Sequence, residues 1–106
     1  MVKTMVSTKN EVLDRLREHA EELRAFGVRR FGLFGSFLHD QATADSDVDL
    51  LIEFEPGQKT FTNFSNLAFF LEDLFERRVE IVTIESLSPY IGPKILNEVE
   101  HVTVGA

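Results

Sequence analysis

Two acidic residues two positions apart, Asp47 and Asp49 in Asp47-Val48-Asp49-Leu50, sit in the apolar stretch Val48, Leu50, Leu51, Ile52, Phe54. In a strand, side chains alternate between faces. Both carboxylates then share one face, beside Leu51, while Val48, Leu50 and Ile52 turn to a core. Upstream, Gly35-Ser36 closes another apolar run, Val28 to Phe34. Neighbouring carboxylates repel unless a cation joins them, and Mg²⁺ takes such oxygens together with substrate phosphates and water. Glycine lets backbone approach a phosphate closely, and a serine hydroxyl with nearby N–H groups donates to its oxygens. Together these residues point to chemistry on a nucleoside triphosphate. A lone Asp-x-Asp would read as a loop running into a strand, with Asp45 as a cap. The Gly-Ser turn on the preceding strand favours the functional reading, because both strand contexts are right. An EF-hand start at Asp45, Asp47 and Asp49 fails, since the sixth position is Leu50 and the twelfth Pro56.

These residues need a scaffold, and the rest of the chain supplies one. Thr8 and Glu11 form a capping-box pattern, and Val12, Leu13, Leu16, Ala20, Leu23 and Phe26 recur at helical spacing until Gly27. Val28 to Phe34 reads as a strand, Phe37 to Ala42 as a short helical turn, and 43–46 as a loop. The second strand ends at Pro56-Gly57. Phe64, Leu67, Ala68, Leu71, Leu74 and Phe75 mark a second amphipathic helix, with Phe69 nearly opposite that stripe and Phe70 at its flank. Phe69 is either a partner or homodimer contact or is covered by a loop or the C-terminal tail. Val79 to Ile84 reads as a third strand. A last helix is predicted from Ser88-Pro89 to about Val99, and a tail or edge segment after His101. The order α-β-β-α-β-α is mixed α/β (α+β): a small mixed sheet with helices packed on it. The first two strands are expected to be antiparallel, being too close for a crossover helix.

The chain has 106 residues, the length of a single domain (1–106) with a modest core. With 43% hydrophobic and 27% charged residues, the composition is that of a globular protein. Cysteine is absent, which excludes disulfides and thiolate metal sites and fits a cytoplasmic location. No apolar run resembles a leader or approaches the ~20 residues of a membrane span. A net charge of −7 disfavours stable nucleic-acid binding. The basic groups Arg24, Arg29, Arg30 and Arg77, Arg78 read as solvated side chains at element ends.

The stretch Arg30-Phe31-Gly32-Leu33-Phe34-Gly35-Ser36-Phe37, then Asp45-Ser46-Asp47-Val48-Asp49-Leu50-Leu51-Ile52-Glu53-Phe54, resembles the DNA polymerase β-like nucleotidyltransferases, and among them the minimal nucleotidyltransferases (MNT). The likeness extends to Arg77-Arg78-Val79-Glu80-Ile81-Val82-Thr83 and Leu87-Ser88-Pro89-Tyr90-Ile91. It implies transfer of AMP from ATP to a hydroxyl acceptor with two divalent ions, Mg²⁺ or Mn²⁺. It implies Asp47, Asp49 and Glu80 as catalytic and metal-holding residues, and Gly35, Ser36 and His39 as the phosphate-binding set. Two positions depart from the family pattern. His39 lies where an arginine usually follows the Gly-Ser turn, and Glu80 replaces the usual third aspartate. Glu80 has a plainer reading as a strand residue paired with Arg78. Members of this group are commonly antitoxins that add AMP to a tyrosine of a HEPN-type toxin, so such a toxin is the implied partner, in a homodimer or hetero-oligomer. Adenylylation of a small molecule and neutralisation of a partner by contact alone are the competing readings.

Overall fold

The computed structural model describes residues 5–90 and 92–104. The start of the chain, where no leader is expected, and Ile91, within the predicted last helix, lie outside the described residues. The helix α1 (Lys9–Glu18) opens with the expected capping box. Thr8 Oγ1 accepts the Glu11 N–H at 3.2 Å, and Glu11 Oε1 accepts the Thr8 N–H at 3.1 Å. The Ser7 N–H also donates to Glu11 Oε1, at 2.8 Å, and it leads the hydrogen bonds that hold the Glu11 carboxyl below its ordinary range. The single helix predicted up to Phe26 is divided at His19, and α2 (Ala20–Ala25) follows. Residue spacing is the same on both sides, so the pattern alone does not show the break. There the His19 ring turns back onto the Arg15 carbonyl at 3.0 Å and meets the edge of Phe70.

Strands β1 (Val28–Phe34), β2 (Val48–Phe54), β3 (Val79–Thr83) and β4 (Glu100–Thr103) form a mixed sheet ordered β3-β2-β1-β4. β1 pairs antiparallel with β2, as the short connection requires, and with β4. β2 and β3 run parallel, joined by the crossover helix α3 (Phe61–Phe75). Thr60 caps α3 by accepting the Asn63 N–H at 3.0 Å, and Glu76 ends it in the left-handed region at φ 55°. Of the expected tail or edge segment, the structure shows the latter: β4 is an edge strand whose Val102 is buried against β1. The last helix starts later than predicted. A 3-10 turn (Ile84–Ser86) follows β3, and α4 spans Gly92–Glu98, with Pro93 in the first turn where its missing N–H costs nothing.

One face of the sheet carries the core. Phe31, Leu33, Val48, Leu50 and Ile52 pack with Leu13, Leu16 and Leu23 of the first helices and Leu67, Leu71, Leu74 and Phe75 of α3. Each such side chain contributes about 1.5–3 kcal/mol by leaving water. Leu51 is buried as well but lies outside this cluster, on the opposite face. A Cβ on Gly32 would touch both Val99 and Leu51, so the end of the last helix covers that part of the second face. Beyond this cover lies the acidic end of the face. Among the described residues, no helix is long and apolar enough to cross a membrane.

Candidate active site

The register of the strands brings the sequence-predicted carboxylates together. Asp49 lies opposite Phe34 of β1 on one side and Glu80 of β3 on the other. Paired residues of neighbouring strands share a face, so Asp49 and Glu80 lie side by side with Phe34 in the same row. Asp47 comes just before β2. Burial drives the Asp49 carboxyl from 3.8 up to about 6, reinforced by its hydrogen bond with Glu80 and by the charges of Glu80 and Asp47.

Gly35 has two reasons to be glycine. Its φ is +77°, a conformation that other L residues adopt at a cost, and a Cβ there would overlap the carboxylate oxygen of Asp49. The Gly-Ser turn is thus in van der Waals contact with the carboxylate. The segment after it is a compact hydrogen-bonded turn, with the Gln41 N–H donating to the Ser36 carbonyl at 2.8 Å and Phe37 wholly buried beneath. Asp40 fastens this turn to the first helix by accepting the Lys9 N–H at 3.1 Å. His39 is half-exposed, within 3.7 Å of Glu98 on α4.

Arg78 does not pair with Glu80. Its Nε lies 3.4 Å from Asp47 Oδ1. Among the described residues, no three His, Asp or Glu side chains form a ready-made metal cage. Asp47 leans toward Arg78 while Asp49 and Glu80 share their own contact. That arrangement fits a hard divalent cation that draws its remaining ligands from substrate phosphate and water, as Mg²⁺ does with one or two carboxylates. The basic group near β1 is engaged locally: Arg30 pairs with Glu53 at 2.7 Å, and Arg24 donates to the Val104 carbonyl. Arg77, by contrast, is not the solvated side chain expected. Its guanidinium is spent on backbone carbonyls around the site. Nothing local in the sequence distinguishes it from Arg78, because the groups it binds are brought to it only by the closed fold.

This fold and site define a nucleotidyltransferase. The family model "Nucleotidyltransferase domain" matches residues 13–101, and the chain belongs to that family. Within it, the chain is a minimal nucleotidyltransferase and a transferase. The protein adenylyltransferase MntA of Thermococcus cleftensis is 41% identical over 96 residues, spanning 90% of this chain and 96% of its own. A solved structure assigned as a minimal nucleotidyltransferase superposes with a TM-score of 0.68 at 35% identity, covering 83% of this chain and 93% of that one. A solved toxin-antitoxin structure with AMP-PNP shares the fold, with a TM-score of 0.61 at 18% identity, over 92% of this chain and 73% of that one.

Proposed function

We propose that this protein transfers AMP from ATP to a hydroxyl of a partner protein, a tyrosine of a HEPN-type toxin, and so acts as its antitoxin in the cytoplasm. The observation that carries this reading is the row Asp49–Glu80 set against Gly35. Similarity to a protein adenylyltransferase over nearly the whole of both chains supports the choice of AMP and of a protein acceptor.

In this reading Gly35 and Ser36 receive the β- and γ-phosphates, with His39 at the edge of the turn. Asp47 and Asp49 would hold two Mg²⁺ ions, with Glu80 as a further ligand or proton acceptor. Bound there, the ions would supply charge neutralisation on the leaving pyrophosphate and lower the pKa of the acceptor hydroxyl. The acceptor oxygen forms a bond to the α-phosphorus, the bond from that phosphorus to the β-bridging oxygen breaks, and pyrophosphate departs. Glu80 takes the hydroxyl proton. A bound cation would further favour the charged form of Asp49 that holds it.

The test is incubation of the protein and its co-expressed partner with ATP labelled at the α-phosphate, with Mg²⁺ and with EDTA. Label on a tyrosine of the partner, absent in EDTA, is the expected result. Label on a small molecule alone would replace the acceptor, and no transfer to any hydroxyl would overturn the proposal.

A further inference from the structure

Arg77 makes more backbone contacts than a surface arginine needs, and three of the four carbonyls it reaches lie on the segment that delivers Asp47. Its Nε donates to the Val6 carbonyl at 2.7 Å. One terminal nitrogen donates to the carbonyls of Thr43 and Ser46, both at 2.8 Å, and reaches that of Ala44 at 3.3 Å. The guanidinium stands 5.0 Å from the ring centroid of Phe37, the buried anchor of the turn after Gly35-Ser36. A planar, permanently charged fork can serve carbonyls on two sides while stacking on an aromatic face; a lysine ammonium cannot.

The 43–46 loop is closed on itself, with the Ser46 N–H donating to the Thr43 carbonyl at 3.1 Å and the Thr43 N–H to Ser46 Oγ at 2.9 Å. These bonds brace the loop internally, and Arg77 ties it to the start of β3. Next to it, the Val48 N–H donates to the Arg78 carbonyl at 3.0 Å, which begins the β2–β3 pairing. Asp47 lies between these two fastenings. We infer that Arg77 is a positioning residue that fixes Asp47 for metal binding, through the loop and without touching the metal; this rests on the nucleotidyltransferase reading of the site.

The experiment measures Mn²⁺ binding by electron paramagnetic resonance, with a non-hydrolysable ATP analogue and no acceptor. The proteins compared are the unaltered protein, Arg77→Lys, Arg77→Met and Asp47→Asn. Outer-shell partners of metal ligands usually change affinity by about 10–100-fold. Arg77→Met is expected to weaken Mn²⁺ binding by about that factor, with Arg77→Lys in between. Arg24→Lys serves as control, since it loses a backbone bond of the same kind, to Val104 at 3.1 Å, outside the site. It should lower the melting temperature and leave Mn²⁺ affinity unchanged. Equal Mn²⁺ affinity in folded Arg77 variants and the unaltered protein overturns the assignment. So does equal weakening in Arg24→Lys, or failure of both Arg77 variants to fold at 20 °C, which would make Arg77 a residue of the fold alone. If the unaltered protein and Asp47→Asn bind Mn²⁺ equally, the reading of the site itself falls.

Discussion

Replacing Asp49 by asparagine should stabilise this protein while abolishing transfer. The folded structure holds the Asp49 carboxyl up at about 6, against an ordinary 3.8, first because it is partly buried and then because Glu80 and Asp47 face it. Below pH ~4 the group is protonated in both folded and unfolded chains and costs nothing. Between ~4 and ~6 the folded protein keeps a proton that the unfolded chain has released, so stability falls as pH rises through that window. Above ~6 the cost is complete. Fully transmitted, the shift is worth roughly 3 kcal/mol. Because the group is only about half shielded from water, we discount this to ~1–2 kcal/mol. In a domain of this size that corresponds to roughly 5–12 °C in melting temperature. Melting curves of Asp49→Asn and the unaltered protein at pH 8 and pH 4, without metal, test the argument. The variant should melt higher at pH 8, and the gain should vanish at pH 4. A gain of equal size at both pH values would refute the electrostatic reasoning, as would a lower melting temperature at pH 8.

Gly35→Ala should lose more than ~1 kcal/mol of stability, from the left-handed backbone and the overlap with Asp49, and should lose Mn²⁺ binding with it; melting and metal titration check both. Glu80→Gln should lower kcat with little change in the KM for ATP, because a proton acceptor acts in the transition state. Unchanged turnover would reduce Glu80 to a strand residue. Phe69 is 71% exposed on α3, so Phe69→Ser should shift stability by no more than ~0.5 kcal/mol. Reduced association with a partner or second copy, measured on the same variant by sedimentation, would mark this face as a contact surface.

Local chemistry made much of this readable in advance. The turn at Gly35-Ser36, the alternation through Asp47, Val48 and Asp49, and the apolar stripe of α3 each depend on a few consecutive residues and survive in the structure. So does the antiparallel pairing of β1 and β2, because their short connection allows little else. What escaped was set by distant parts of the chain. β4 is four residues long, and its identity as a strand depends on β1 being there to receive it. Phe64, placed in the core stripe, is only half-buried, and Phe70 at its flank packs on Phe26 with ring centroids 5.4 Å apart. Arg77 is legible only once the loop, the N-terminal segment and Phe37 have closed around it.

The order of the strands also bears on how the chain folds. Gly35 meets Asp49 across the β1–β2 hairpin, a short loop that closes at little entropic cost. Glu80 reaches Asp49 only after the chain has passed through α3 and returned parallel to β2, a longer closure. The topology thus predicts that repulsion between the carboxylates is incurred late, after most of the barrier has been crossed. On that basis Asp49→Asn should act mainly on the unfolding limb of a chevron plot, slowing unfolding and leaving the folding rate nearly unchanged. A mainly faster folding rate would instead place β2–β3 pairing inside the folding nucleus. The acidic row that serves chemistry in the native state would then also hinder the chain on its way there.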